Sequence, residues 1–163
     1  MQITYQSIGM IHSPFTDPSG MPIQPAAAQA AAGEVEIYAA FSEGLCDIEA
    51  FSHLILLYHF HRSAPAKLTV KPFLDDRPHG VFATRAPARP NPIGLSVVRL
   101  QHRRGHLLHV TGIDVLDGTP LLDLKPYVPQ FDAHDAERIG WLTGKVDGLG
   151  EVRADDRFSR GRP

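Results

Sequence analysis

The sequence holds a single cysteine, Cys46, among its 163 residues. That excludes an internal disulfide framework and any zinc site built from several thiolates. No apolar run approaches the roughly 20 residues that a membrane-spanning helix requires. No basic stretch followed by an apolar core opens the chain, so no secretory signal is expected, and the cytoplasm is the expected compartment. No G-x-G-x-x-G follows a strand signal to open a helix, which speaks against a Rossmann-type nucleotide site. Lys and Arg are absent from residues 1–59, which carry six acids. Residues 60–105 then hold nine Lys or Arg against Asp75 and Asp76, a local charge of +7 inside a chain of net charge −2. Such a block suits an anionic partner such as RNA phosphate. The other reading is that it pairs with the acidic segments across the fold or across a dimer.

What is present is ordinary globular material. Hydrophobic residues make up 43% and charged residues 21%, and the length suffices for one domain with a sizeable core. Short strand signals recur with turn residues between them. They fall at residues 3–11, 34–38, 52–61, 68–72, 80–84, 93–100, 107–113 and 121–124. The segment 52–61 is apolar throughout and reads as a buried strand. Gly105 reads as a hairpin turn, and Asp117-Gly118 as a tight turn. Helix signals are few: an alanine-rich stretch at 26–32, and a short helix or turn at 41–51. Many strands and few helices predict a mostly β chain, a small antiparallel β-barrel with short helical segments. The barrel domain is expected over residues 1–140, with a short, partly flexible tail over 141–163.

The most informative stretch is residues 77–98, RPHGVFATRAPARPNPIGLSVV. Proline fixes φ and lacks an N–H, so the part from Ala86 to Pro92 is neither helix nor interior strand. A stiff charged loop does little for a core, but it holds Arg85, Arg89 and Asn91 in fixed positions against a ligand. The bland alternative is a surface loop whose Arg85 pairs with Asp75 or Asp76. A second candidate cluster is His53, His59 and His61, which alternate along one strand. No carboxylate or cysteine completes a ligand set there, so no metal is expected.

This stretch resembles the TsaA-like (YaeB-like) family. Four further segments carry the same resemblance: IGMIHSPF at 8–15, QPA at 24–26, FSHLILLYHFHR at 51–62 and GIDVLDGTPLLDLKPYVP at 112–129. The resemblance covers residues 8–129. It implies a small β-barrel that binds S-adenosylmethionine, distinct from the usual α/β methyltransferase fold. It implies cofactor contacts from Gln24, Pro25, Ala26, His61, Arg62, Arg85, Leu95, Asp117, Gly118, Thr119 and Pro120. Ala26 departs mildly from the family pattern, where glycine is frequent.

The chemistry of these side chains fits such a cofactor. The Arg85 guanidinium matches two carboxylate oxygens at once. Asp117 accepts from ribose hydroxyls, Gly118 admits a close backbone approach, and Leu95 offers an apolar or backbone contact to adenine. Asp117 and His61 are the candidate proton acceptors. Asn91, Asp123, Lys125 and Tyr127 are the candidate substrate-side residues.

The resemblance implies methylation of N6 of threonylcarbamoyladenosine in tRNA, by a homodimer with its cofactor near the subunit interface and no membrane association. Only 34 residues follow Pro129, where tRNA-acting bacterial members carry a further C-terminal domain. A different methyl acceptor, a cofactor-binding module without catalysis, and an RNA-binding barrel without cofactor are the competing readings. Only Phe73 and Phe82 interleave with the central arginines, a poor stacking platform for single-stranded RNA.

Overall fold

Six strands close into an antiparallel barrel in the order β1–β2–β7–β6–β3–β8, with β8 returning to β1. They are β1 (Gly9–His12), β2 (Ala32–Ile37), β3 (His53–His59), β6 (Ile93–Arg104), β7 (Leu107–Thr111) and β8 (Thr119–Pro126). The computed structural model describes residues 1–17 and 31–146, with Asp155 and Phe158. A two-stranded ladder, β4 (Thr69–Val70) with β5 (His79–Gly80), stands apart from the barrel. The expected mostly β, non-Rossmann architecture is the one observed. One four-residue α-helix, α1 (Pro129–Asp132), follows the last strand.

Side-chain alternation explains the closure. In β3, Leu54, Leu56 and Tyr58 point inward, and in β6 Gly94, Ser96, Val98 and Leu100 do so. Ile11, Val35, Ile37, Leu108, Val110 and Leu121 complete the interior. Each such aliphatic side chain contributes about 1.5–3 kcal/mol by leaving water. β6 is 12 residues long, and a register shift between Leu100 and His102 lets it pair with β3 in its first half and β7 in its second. Gly105, at φ +62°, closes the two-residue hairpin between β6 and β7. Two 3-10 turns, Ala39–Leu45 and Ile48–Ala50, add Leu45 and Ile48 to the core.

Four expectations need correction. The first strand spans Gly9–His12 rather than beginning at residue 3. Residues 80–84 are not a strand: only Gly80 pairs, and Val81–Ala83 form a 3-10 turn. The turn arises because Thr84 folds back, its Oγ1 donating to the Val81 carbonyl at 2.9 Å and accepting from the Ala86 N–H at 3.2 Å. Of the alanine-rich stretch, Ala32 belongs to β2 rather than to a helix, and residues 26–30 lie outside the described residues. The apolar strand around residue 55 is buried on one face only. Ile55 and Leu57 face outward and are half-buried.

Candidate cofactor site

Topology decides which connections meet. β1, β3 and β7 run in the same direction around the antiparallel barrel. The connections that leave them, residues 13–31, 60–92 and 112–118, therefore emerge from one mouth. Of the residues expected to touch the cofactor, His61, Arg62, Arg85, Asp117 and Gly118 belong to the second and third connections, and Thr119 and Pro120 open the strand that follows. Ile113 and Val115 of the third plug this mouth from beneath.

Hydrogen bonds sew the three connections together. The Ser13 N–H donates to Asp117 Oδ1 at 3.1 Å, and Ser13 Oγ donates to the Val115 carbonyl at 2.6 Å. The Asp117 N–H reaches the Phe15 carbonyl at 2.8 Å and the Gly118 N–H the Ile11 carbonyl at 2.9 Å. Gly118 sits at φ +72°, a left-handed conformation that costs an L-residue about 1–2 kcal/mol. Arg62 Nη1 donates to the Thr16 carbonyl at 2.8 Å, tying the first connection to the second. His61 Nδ1 lies 3.2 Å from Thr119 Oγ1, tying the second to the start of β8. Thus His61, Arg62, Asp117, Gly118, Thr119 and Pro120 gather at one mouth.

Burial pushes the His61 pKa below its ordinary value, with help from the neighbouring Arg62 and His59 charges; Asp117 opposes them weakly. A neutral imidazole is thereby available at neutral pH as a hydrogen-bond partner or proton acceptor. Arg85 follows the 81–83 turn and is exposed. Its pairing with Asp75 or Asp76 is not found. Asp75 is held by Lys145, His79 and the Arg77 N–H, and Asp76 by Lys71 at 3.0 Å. Among the described residues Arg85 has no ion-pair partner within salt-bridge distance. The proline-rich loop is held from below: Arg89 Nη1 donates to the Thr84 carbonyl at 3.2 Å, and Trp141 Nε1 to the Ala83 carbonyl at 2.8 Å.

The remaining expected residues are not all gathered with these. Gln24, Pro25 and Ala26 lie outside the described residues. Leu95 is 49% exposed on the outer face of β6, opposite Leu57 of β3. Asn91 is exposed near the loop-bearing mouth, its carbonyl accepting from the Ile93 N–H at 2.8 Å. Asp123 and Lys125 lie on the outer face of β8, paired with each other at 2.7 Å. Tyr127 meets His53 edge-on with ring centres 6.3 Å apart, at the opposite end of β3. Within one chain Lys125 and Tyr127 do not gather with Asn91. Among the described residues no three His, Cys, Asp or Glu side chains converge to hold a metal ion.

Sequence reasoning missed one group at this mouth. Tyr58 OH, Ser96 Oγ and Asp114 Oδ1 form a chain with separations of 3.0 Å and 2.6 Å. Burial raises the Asp114 pKa, while the Ser96 hydroxyl, then a backbone N–H, and last the Arg85 charge oppose that rise. Burial and the Asp114 charge also push the Tyr58 phenol well up. The signal was present: Ser96 and Tyr58 stand at inward positions of otherwise apolar strands, and buried polar groups demand partners.

Known proteins resemble the chain over most of its length. Residues 10–133 match the family described as tRNA-methyltransferase O N-terminal domain. The tRNA (adenine(37)-N6)-methyltransferase of Escherichia coli is 38% identical, over 77% of this chain and 57% of its own length. A protein of Pyrococcus abyssi named "Probable S-adenosyl-L-methionine-binding protein" is 57% identical, over 97% of this chain and 86% of its own. The crystal structure of TrmO from Pseudomonas aeruginosa superposes with a TM-score of 0.73 at 43% identity, covering 86% of this chain and 63% of that one. The chain thus spans about three fifths of the Escherichia coli and Pseudomonas proteins but most of the archaeal one. On these grounds the chain belongs to the tRNA-methyltransferase O N-terminal domain family.

Proposed function

We propose that this chain binds S-adenosylmethionine at the loop-bearing mouth of its barrel and transfers the methyl group to N6 of a modified adenosine in tRNA, threonylcarbamoyladenosine. The observation that carries the reading is the convergence of three connections, bonded to one another, on His61, Arg62, Asp117, Gly118 and Thr119. Relatives named for cofactor binding and for tRNA adenine methylation support it.

The residues at this mouth fit the cofactor's parts. Arg85, with no ion-pair partner among the described residues, takes the carboxylate end. Asp117 and the Gly118 backbone face the ribose, and Gln24, Pro25 and Ala26, outside the described residues, remain proposed cofactor contacts. The cofactor supplies an electrophilic methyl group. The protein's contribution is to hold the acceptor nitrogen in line with it and to exclude water. Neutral His61 and Asp117 are the proposed proton acceptors. Asn91, Asp123, Lys125 and Tyr127 remain the substrate-side proposal.

Apolar residues on the outer face of β3 and β6, namely Ile55, Leu57, Ile93, Leu95 and Val97, support a homodimer through that face. Pairing there would bring Leu95, and the outer residues Asp123 and Lys125, near a partner's site. The protein is proposed to act in the cytoplasm. Among the described residues no helix is long and apolar enough to cross a membrane. The test is methyl transfer from labelled S-adenosylmethionine to total tRNA of cells lacking the native enzyme. Label in position-37 nucleosides is expected. Tight cofactor binding without any transfer would favour a binding module instead.

A further inference from the structure

The 60–92 connection exposes two large apolar side chains. Phe82, in the middle of the Val81–Ala83 turn, is 75% exposed. Leu68 is 70% exposed, and its carbonyl accepts from the Val81 N–H at 2.9 Å, so the two stand on adjoining backbones. The turn that carries Phe82 is fixed on both sides. Val81 is buried, and the Thr84 Oγ1 donates to its carbonyl at 2.9 Å. Trp141 Nε1 donates to the Ala83 carbonyl at 2.8 Å and is itself stacked on His79, with ring centres 4.7 Å apart. A phenyl ring held out in water on a rigid turn forgoes the stabilisation that burial would give it.

The same connection is cationic. Lys67, Arg77 and Arg85 are exposed. The Lys67 N–H donates to the Ala88 carbonyl at 3.0 Å, which lays its backbone against the proline-rich loop. The acids of this stretch, Asp75 and Asp76, are engaged by Lys145, His79 and Lys71. Among the described residues Lys67, Arg77 and Arg85 form no ion pair. Phe131 is as exposed as Phe82, at 76%, but Asp132, Asp135 and Glu137 follow it, a setting that repels an anion. Phe73, the other aromatic of the basic block, is half-buried and meets Phe158 edge-on, with ring centres 5.2 Å apart. The basic block thus presents one aromatic face, enough to hold a single base and too little to track a strand.

We infer that Phe82 is where the RNA substrate docks. Its ring takes the face of one unpaired base beside the target adenosine, and Lys67 and Arg77 take flanking phosphates. Unpaired bases of RNA loops are recognised by stacking on aromatic side chains, because every base offers a π-face. Contacts from Lys and Arg to phosphate position the strand without reading its sequence. Arg85, three residues beyond Phe82, stays with the cofactor, so the docked strand lies beside the methyl donor. The inference rests on the tRNA reading above and names the surface that serves it.

The experiment measures binding of two fluorescent RNAs to the full chain by anisotropy, over a series of salt concentrations. One is a stem–loop with an adenosine in its unpaired loop, and the other is a fully paired duplex. The proteins are the wild type, Phe82→Ala, Phe82→Trp and Lys67→Gln, with S-adenosylhomocysteine binding followed by calorimetry in each. Phe82→Ala is expected to weaken the stem–loop about tenfold, the order of one base stack, and to leave the duplex and S-adenosylhomocysteine unchanged. Phe82→Trp is expected to bind the stem–loop at least as tightly as the wild type. Lys67→Gln is expected to weaken both RNAs and to lower the slope of log affinity against log salt by about one. Stem–loop affinity in Phe82→Ala equal to that of the wild type overturns the inference and leaves the tRNA reading standing. Equal losses on both RNAs overturn it too, as does a loss of S-adenosylhomocysteine affinity, which puts the ring in the cofactor pocket. A change of oligomeric state in Phe82→Ala assigns the ring to a second copy of the chain and overturns it as well. A wild type that binds the cofactor and neither RNA removes the tRNA reading and this inference together. Should Phe82→Ala fail to fold, Phe82→Leu carries the test, since it keeps the bulk and deletes the π-face. A loss confined to the stem–loop supports the inference, and no loss overturns it.

Discussion

Thr119 Oγ1 and His61 Nδ1, 58 residues apart in sequence, sit 3.2 Å from each other and join the end of the β3 strand region to the start of β8. Thr119 is 2% exposed, so its hydroxyl has little water to turn to. Replacing it with valine keeps the shape and deletes the partner. A lost hydrogen bond of this kind costs about 1–1.5 kcal/mol, or up to about tenfold in affinity if His61 must be held for the cofactor. Thr119→Val is therefore expected to weaken S-adenosylmethionine binding roughly five- to tenfold with little change in far-ultraviolet circular dichroism. Unchanged affinity by calorimetry would remove His61 from the site.

The lowered pKa of His61 has a definite sign. Its causes are burial first, then the Arg62 and His59 charges. The folded chain then binds fewer protons than the unfolded chain just below the ordinary histidine value of 6.5. Stability linked to this group is complete above that value and is lost as pH falls through the lower, folded-state value. His61 should also remain neutral, and able to accept a proton, throughout the neutral range. Proton NMR titration of the His61 Cε1–H against a His61→Gln reference reads this directly. A midpoint at or above 6.5 refutes it.

Much of the barrel was legible because strand-forming residues and turn residues are local signals. The bulky apolar run at 52–61 marks β3, though not which of its faces is buried, and the Gly105 turn fixes one hairpin. What stayed hidden depends on contacts between distant segments. The 80–84 stretch has strand-like residues, yet the Thr84 hydroxyl bends it into a turn. The bulge between Leu57 and Tyr58 in the β3–β8 ladder is invisible in either strand alone. For the site, resemblance supplied His61, Arg62 and the 116–120 segment, and topology supplied the reason that they meet. Asp114 went unnoticed because its meaning lies in Ser96 and Tyr58, on two other strands.

Gly94 faces the interior directly across from Tyr58. A Cβ built there would stand 2.2 Å from one ring atom of Tyr58, 2.5 Å from another and 2.9 Å from Phe60. Those rings already pack edge-to-face, 5.4 Å between centres, so neither has room to yield. Overpacking of this kind costs about 1–3 kcal/mol. For a chain of this length Gly94→Ala should lower the Tm by roughly 5–10 °C. It should also disturb the Tyr58–Ser96 bond and hence the cofactor site. A thermal melt within 1–2 °C or so of the wild type, with affinity retained, would show that the mouth tolerates expansion.

Asp114 links stability to pH. Burial raises its pKa more than Ser96 and Arg85 lower it, so the folded chain holds this proton more tightly than the unfolded chain does. An acid with a raised folded value destabilises the fold as pH rises from the ordinary value of 3.8 through the raised one. Above the ordinary value of 3.8 that raised pKa is therefore a net cost that asparagine does not carry. Asp114→Asn is expected to melt at the same temperature as the wild type or higher at pH 7, with the difference closing as pH approaches 4. If Asp114→Asn melts well below the wild type at pH 7, the carboxylate is there to hold the 112–118 connection.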